Sequence, residues 1–276
     1  MNKLRILILA LFITVSAVYA VSALSKALAD DTPPVITADS SIIEISVKDG
    51  EEALLSGIHA SDKQDGDLTS SVMISGISKL VSNNTAKVSY IVFDSDQNIG
   101  VFTRSVRYTD YRRPRFSLSE PLVFAKGEDI TLNGKLFADD VIDGDISSSI
   151  KIAARDLTAN EEGLYSITVQ VTNSLGDTSL LKLPIMIVNT LTAVPAVELE
   201  QYLIYVSVGS DFNPSDCLKA VYDSSGAPGD ISAVAVDNKA DLSSAGTYTV
   251  TYSYTDASGK SGSAVLTVVA EKEEIK

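Results

Sequence analysis

Residues 246–256 read Gly-Thr-Tyr-Thr-Val-Thr-Tyr-Ser-Tyr-Thr-Asp, and this alternation decides the fold. An apolar side chain at every second position predicts a β-strand that buries one face, while the Ser and Thr side chains point the other way. Asp256 begins a turn, because its short carboxylate can bond the backbone two residues on. An apolar run over 264–269 follows and predicts an antiparallel return strand, so the segment forms a hairpin.

The same hairpin pattern occurs twice more in the chain. Alternating strands end at Asp94 and at Asn173, and a return strand follows each of them. A proline lies near the start of each of the three segments, at Pro34, Pro114 and Pro195, with spacings of 80 and 81 residues. Such a recurrence predicts tandem domains. The expected organisation is an N-terminal anchor or signal segment, three domains and a charged tail, over residues 1–29, 30–110, 111–190, 191–270 and 271–276.

Each segment has room for about six or seven short strands. Outside the N-terminus no window shows a helical period, so we expect helices to be no more than short turns. These features predict an all-β fold class, with three tandem immunoglobulin-like β-sandwich domains and one N-terminal transmembrane or signal helix. Gly-x-Tyr opens the long strand at 163–165 and at 246–248 and predicts a tyrosine corner. The first segment has Asn84 there, a residue that tolerates the left-handed region.

Motifs in all three segments resemble one known family. The first segment has Pro33-Pro34, then Asp-x-x-Asp-Gly-Asp-Leu-Thr over 62–69, and a closing strand Thr-Arg-Ser-Val-Arg-Tyr over 103–108. This order is similar to the bacterial immunoglobulin-like repeat of insecticidal crystal toxins and Gram-positive surface proteins, and the similarity covers residues 32–270. The resemblance implies an extracellular sandwich that serves as a spacer or binding module. It does not imply catalysis.

The N-terminus has the features of a membrane segment. Residues 6–25 are uncharged and rich in apolar side chains, and Lys3 and Arg5 precede them. A span needs about 20 such residues, and basic residues stay on the cytoplasmic side. We therefore expect a single-pass cell membrane protein whose C-terminal part is extracellular. The alternative is secretion after cleavage near Ala29, but the apolar run is longer than a usual signal peptide core and favours a retained anchor.

Composition excludes several classes of protein. One Cys and one His among 276 residues exclude a disulfide framework and a His-rich metal centre. The net charge of −14 argues against nucleic acid as a partner, because phosphate binding requires clustered Lys and Arg. The chain is apolar enough, at 45%, to bury a core.

His59 and Cys217 are the two remaining reactive side chains. His59 lies close to Ser61 and Asp62, but no nucleophile elbow or oxyanion loop accompanies them, so an outward-facing strand histidine is favoured over a catalytic triad. We predict that Cys217 is buried as a small hydrophobe; the alternative is an accessible thiol that pairs with another chain. We expect no catalytic residue in the chain.

Two acidic turns are candidate calcium sites. Calcium takes about six to eight oxygen ligands, and each turn concentrates three carboxylates. The candidate metal ligands are Asp62, Asp65, Asp67, Asp140, Asp143 and Asp145. The alternative is a structural turn in which Asp side chains accept backbone N–H bonds. The third segment keeps only Gly229-Asp230 and is expected to lack the first two carboxylates. We expect no other cofactor.

Arg112, Arg113 and Arg115 form a cationic cluster around Pro114 in this acidic chain. They have two interpretations: they bind an anionic wall polymer or the carboxylates of a partner, or they pack against the acidic turns of an adjacent repeat or stay solvated. Tyrosine faces could stack on sugars, but the alternation favours Tyr252 and Tyr254 as core residues.

These features together predict a non-catalytic bacterial cell-surface protein. It would act as an extracellular spacer, adhesion or ligand-binding module, with an extracellular protein or glycan as partner and the membrane contacted through the N-terminal helix. One alternative is a subunit of a polymeric cell-surface assembly, in which repeats associate edge to edge. The other is an enzyme, for which the sequence offers no paired catalytic constellation.

Overall fold

The computed structural model describes residues 2–28, 31–81, 84–156, 161–189 and 193–272. The proposed cleavage site after Ala29 and residues 273–276 of the charged tail lie outside these ranges. The described residues form two units, Met1–Tyr108 and Thr109–Lys276. The predicted boundary between residues 190 and 191 lies inside the second unit and stays a prediction.

The N-terminal helix α1 spans Asn2–Leu28. Its part from Lys3 to Leu24, 22 residues, is long and apolar enough to cross a membrane, and its described side chains are exposed to solvent. A retained anchor and a cleaved signal sequence both meet this test. The predicted apolar helix is therefore present in the structure.

The first unit continues with strands that form two sheets. The strands are β1 (Val35–Ala38), β2 (Ile42–Ile45), β3 (Ile58–Asp62), β4 (Gly66–Asp67), β5 (Met73–Ile77), β6 (Thr85–Phe93) and β7 (Ile99–Tyr108). One sheet has the order β2-β7-β6-β5 and the other the order β1-β3-β4. A short helix α2 (Glu51–Leu55) connects β2 to β3, and a 3-10 turn (Thr69–Ser71) precedes β5.

The second unit repeats this strand order in its first half and, with one strand fewer, in its second half. Its first half contains β8 (Arg115–Leu118), β9 (Val123–Ala125), β10 (Leu136–Asp140), β11 (Gly144–Asp145), β12 (Lys151–Asp156), β13 (Gly163–Thr172) and β14 (Thr178–Val188). Its second half contains β15 (Ala196–Leu199), β16 (Leu203–Ser207), β17 (Leu218–Tyr222), β18 (Ala235–Asn238), β19 (Gly246–Thr255) and β20 (Ser261–Glu271). The four-stranded sheets have the orders β9-β14-β13-β12 and β16-β20-β19-β18, and the smaller sheets pair β8-β10-β11 and β15-β17. The all-β prediction is confirmed.

The three predicted hairpins form the centre of the larger sheets. β6 pairs with β7, β13 with β14 and β19 with β20, all antiparallel. In β6 the alternation puts Ala86, Val88, Tyr90 and Val92 fully inside, as period 2 requires. Tyr252 and Tyr254 are also buried, which confirms the prediction that they are core residues.

At the start of β19 the turn chemistry follows the prediction. The Tyr248 hydroxyl donates to the carbonyl of Ser244 at 3.1 Å and lies 2.7 Å from the Ser244 hydroxyl, the local contact expected of a tyrosine corner. Asn84 has φ 54°, in the left-handed region that Asn tolerates.

The recurring prolines mark a close backbone contact with the return strand. The carbonyl of Pro34 lies against Gly100, and that of Pro195 lies against Gly262, so closely that a Cβ at either glycine would overlap it. In the middle segment Ser179 takes this place, and its hydroxyl donates to the Pro114 carbonyl at 2.6 Å. The proline carbonyl therefore restricts which side chain the return strand can have at this position.

Candidate functional site

The acidic turn of the first unit uses its carboxylates to hold backbone. Asp62 Oδ1 accepts the N–H groups of Gln64 at 2.7 Å and Asp65 at 3.0 Å. Asp67 Oδ1 accepts the N–H of Thr69 at 2.9 Å. These bonds stabilise the charged carboxylates: the N–H of Asp65 is the main cause of the lowered pKa of Asp62, and the Thr69 hydroxyl is the main cause for Asp67.

The third carboxylate of this turn reaches the neighbouring hairpin. Asp65 Oδ2 accepts the N–H of Ser95 at 2.7 Å, just beyond the end of β6. The second segment repeats the contact, since the two Asp143 oxygens accept the Ser174 N–H at 2.6 Å and the Ser174 hydroxyl at 2.7 Å. The middle Asp of each motif therefore ties the acidic turn to the hairpin turn.

The other two carboxylates of the second segment also cap backbone groups. Asp140 Oδ1 accepts the N–H groups of Ile142 at 2.9 Å and Asp143 at 3.0 Å. Asp145 Oδ1 accepts the N–H of Ser147 at 2.9 Å, and the Ser147 hydroxyl is the main cause of the lowered pKa of Asp145. The two acidic turns are thus built alike.

The third segment differs from the sequence prediction. Asp223 directly follows β17 and takes the place of Asp62, since its Oδ1 accepts the N–H groups of Ser225 at 2.8 Å and Ala227 at 3.0 Å. The expectation that this segment lacks the first carboxylate is therefore wrong. The loop from Asp223 to Asp230 is two residues longer than the loop from Asp62 to Asp67. A search by motif spacing therefore could not identify Asp223 as the equivalent of Asp62. Asp230 caps the N–H of Ser232 at 2.9 Å.

A buried Asp or Asn ends the long strand of every hairpin. Asp94, Asn173 and Asp256 are at most 7% exposed. Asp94 accepts the N–H of Asn98 at 2.7 Å, and Asn173 accepts the N–H of Asp177 at 2.9 Å. These bonds confirm the prediction that the terminal Asp or Asn organises the following turn.

The buried residues also join the hairpin to the acidic turn. Asn173 Nδ2 donates to Asp140 Oδ2 at 3.1 Å, and Asp256 Oδ2 accepts the N–H of Ser224 at 3.0 Å. Hydroxyls of Ser224 and Ser258 hold the pKa of Asp256 far below its usual range. The sequence analysis recognised the turn role of these residues but not this second bond.

Tyr111 extends the network in the second unit. Its hydroxyl accepts a bond from Asn173 Nδ2 at 2.9 Å and donates to Asp177 Oδ2 at 2.8 Å. Burial, with the Asp177 carboxylate next, raises the pKa of the Tyr111 hydroxyl well above its usual range. Nothing in the local sequence around Tyr111 signals these partners, which are more than 60 residues away.

The geometry of the acidic turns favours the structural interpretation. Each of the six candidate ligands accepts at least one backbone N–H. Within the described ranges no group of three or more His, Cys, Asp or Glu side chains is arranged to hold a metal ion. Calcium binding at these turns stays a prediction.

His59 and Cys217 occupy different environments. The His59 side chain is 59% exposed, and its Nε2 lies 3.2 Å from Asp39 Oδ1 on the surface. Cys217 is half-buried against the core, and burial raises the pKa of its thiol. A raised pKa keeps the thiol protonated and weakly nucleophilic at neutral pH.

The arginines of the cluster pair with carboxylates of this chain. Arg112 lies 3.3 Å from Asp139 Oδ2, and Arg113 Nε lies 3.5 Å from Asp177 Oδ2. Both carboxylates belong to the same segment as the arginines rather than to an adjacent one. Arg115 pairs with Glu271, the last residue of β20.

The strand order and the buried hairpins define the chain as an all-β protein of immunoglobulin-like sandwiches. Comparison with known domain families adds a family match: residues 200–269 match the family described as bacterial surface protein, Ig-like domain. This confirms the family resemblance for that part of the chain.

One relative and several solved structures are similar to the chain. An uncharacterized 81.3 kDa protein of Acholeplasma phage L2 is 29% identical over 173 residues, which cover 62% of this chain and 22% of the phage protein. The chain thus matches less than a quarter of that relative's length.

Among solved structures, the M60 catalytic domain with two CBM51 domains of Clostridium perfringens ZmpB has a TM-score of 0.26 at 15% identity, covering 87% of this chain and 31% of that one. Drosophila N-cadherin EC1-3 has a TM-score of 0.30 at 11% identity, covering 86% and 99%. The lipoprotein BT2262 of Bacteroides thetaiotaomicron has a TM-score of 0.22 at 14% identity, covering 56% and 98%. At these scores the similarity bears on neither ligand nor activity.

Proposed function

We propose that the chain is a non-catalytic cell-surface module, held by its N-terminal helix, that carries Ig-like domains outside the membrane as a spacer or ligand-binding element. One observation carries the proposal: a single chain combines an apolar helix over Lys3–Leu24 with a bacterial surface Ig-like domain over residues 200–269. Its net charge of −14 supports it, because such a surface stays soluble.

The basic residues Lys3 and Arg5 favour a cytoplasmic N-terminus and an extracellular C-terminal part. The apolar run is longer than the core of a usual signal peptide, which favours retention of α1 in the membrane. N-terminal sequencing of the protein from membrane fractions tests this point. A sequence starting at Asp30 would contradict the anchor and support secretion.

Antibody labelling of intact and permeabilised cells tests the location as a whole. We expect equal labelling of both, and a single discrete mass for the extracted protein. Labelling that requires permeabilisation would overturn the proposal. A ladder of high-mass species would favour the alternative, a subunit of a polymeric surface assembly.

A further inference from the structure

The second unit contains a cavity of about 590 Å³, and four of its eight lining residues are cationic. Arg112, Arg113, Arg115 and Lys272 line it, together with Tyr205 and Glu271. The chain as a whole carries a net charge of −14, so the cationic side chains of this cavity are opposite in sign to the net charge of the chain. A local reversal of this kind attracts anions to one place on an acidic surface.

One wall of the cavity is held by several contacts. The Arg115 guanidinium lies over the Tyr205 ring, 4.7 Å from its centre, and also pairs with Glu271. The Tyr205 hydroxyl accepts the backbone N–H of Phe116 at 2.9 Å. These contacts join the start of β8 to strands β16 and β20, so Arg115 is presented in a fixed orientation.

Arg113 is the most exposed of the three arginines that line the cavity. Its side chain is 70% exposed, and those of Arg112 and Arg115 are each 40% exposed. Each guanidinium carries several N–H donors in a planar fork, and in the described residues each pairs with a single carboxylate. Donors therefore remain on Arg112 and Arg113 for a further oxygen ligand.

The charges around the cavity do not cancel. Three carboxylates, Asp139, Asp177 and Glu271, pair with the three arginines. Lys272 adds a fourth positive charge to the wall. Among these seven described groups one positive charge is left over, and arginine forks bind carboxylate and phosphate oxygens in bidentate fashion.

We propose that this cavity binds an oxyanion group, a carboxylate or a phosphodiester, carried by an extended extracellular polymer. The inference rests on the proposed function for access to such a polymer, and it names the ligand chemistry of that surface. A polymer fits better than a free ion because the cavity is larger than one oxyanion and the Arg113 side chain in its wall is 70% exposed. Its volume is within the range of about 300–1,000 Å³ usual for ligand sites.

The test measures binding of defined polymers to the full chain in neutral detergent. The probes are poly(glycerol phosphate), polygalacturonate and, as the neutral control, dextran. We expect one or both anionic polymers to bind, and the affinity to fall as sodium chloride rises, because salt screens the attraction. Binding of only one polymer identifies the source of the oxyanion. Failure of both to bind, or equal binding of dextran, would overturn the inference.

Variants locate the binding within the chain. Arg112→Gln combined with Arg113→Gln should weaken binding about tenfold or more, because charge-assisted hydrogen bonds are lost. Arg155→Gln is the matched control, since Arg155 is an exposed arginine of the same unit on strand β12, and it should leave affinity within about twofold. Arg113→Lys should fall between them, because lysine keeps the charge but not the fork.

Equal affinity of the double variant and the Arg155→Gln control, both with wild-type melting curves, would overturn the assignment to this cavity. The same double variant should still be labelled on intact cells. Loss of polymer binding would therefore leave the proposed surface location untouched. If the surface location is wrong, labelling of intact cells fails while polymer binding in vitro persists.

Discussion

The first unit buries an arginine where both hairpins of the second unit bury a leucine. Arg104 on β7, Leu183 on β14 and Leu266 on β20 hold the same register position, each opposite a buried aliphatic residue of the preceding strand. All three are at most 3% exposed. The same scaffold thus accepts a charged and an apolar side chain at one core position.

The difference follows from what the connecting segment offers. Arg104 donates to the carbonyl of Leu54 at 2.6 Å, to that of Ser56 at 2.8 Å and to the Tyr90 hydroxyl at 3.1 Å. These carbonyls lie at the C-terminal end of α2, where helix carbonyls lack intrahelical partners. Burial of the Arg104 charge therefore depends on a helix end, and among the described residues no carboxylate pairs with it.

The largest expected effect is at Arg104. Arg104→Ala should lower the free energy of unfolding by about 3–4 kcal/mol, because the Ser56 carbonyl loses its donor, the Leu54 carbonyl keeps only the Tyr90 hydroxyl, and a cavity opens in the core. Arg104→Leu copies the second unit, fills the space and should cost about 1–2 kcal/mol. Urea denaturation of the full chain, with hydrogen exchange to assign the loss to the first unit, measures both.

Arg107→Ala is the control for this pair. Arg107 lies on the same strand and pairs with Glu44 at 2.8 Å on the surface, so its loss should change stability by less than about 1 kcal/mol. An Arg104→Leu variant more stable than the wild type would show that the helix-end carbonyls do not need the arginine.

The second effect concerns the proline contacts that all segments share. Gly100→Ala and Gly262→Ala should each cost about 1–3 kcal/mol, because the new Cβ forces Pro34 or Pro195 to move. Gly76→Ala is the control in the first unit, since no atom lies within 4 Å of a Cβ there, and it should stay within about 0.5 kcal/mol. Equal urea midpoints for Gly76→Ala and Gly100→Ala would contradict the contact.

A smaller effect should come from the tyrosine hydroxyls that hold the connecting segments. The Tyr90 hydroxyl donates to Leu54 O at 2.6 Å, and the Tyr252 hydroxyl donates to Pro214 O at 2.8 Å. Phenylalanine at either position should cost about 1 kcal/mol. Because Arg104 also bonds Leu54 O, Tyr90→Phe should cost less than Tyr252→Phe. If Tyr90→Phe lowered the melting temperature more than Tyr252→Phe, the proposed hydrogen bonding of the two carbonyls would be contradicted.

The smallest effect concerns the capped carboxylates of the third segment, and it should appear when the pH is lowered. The folded-state pKa values of Asp223, Asp230 and Asp256 lie below the usual 3.8. The unfolded chain therefore binds more protons at low pH, so this stabilisation is present above about pH 4 and is lost as pH falls through the folded pKa values.

Asp256→Asn tests that sign. Asparagine is the residue that the middle segment carries at this position, Asn173. The variant should be less stable than the wild type at pH 7 and should lose less stability on acidification. Thermal unfolding followed from about pH 6 to pH 2 measures the difference. Parallel curves for the two proteins would contradict a role for this carboxylate.

Period-2 alternation was enough to predict the hairpins, the all-β class and the burial of Tyr252, because these depend on local pattern and area. Arg104 shows the limit of that pattern. It lies in phase with the buried Val106, but its burial depends on Ser56, 48 residues upstream. Asp223 shows a second limit, since a loop of different length hides an equivalent carboxylate from motif spacing.

Protease treatment of intact cells that express the chain tests its location outside the membrane most directly. An externally added protease should release peptides from residues 31–272 without lysis, while residues 2–28 stay with the membrane fraction, and mass spectrometry identifies both. Peptides from residues 31–272 that appear only after lysis would contradict the account.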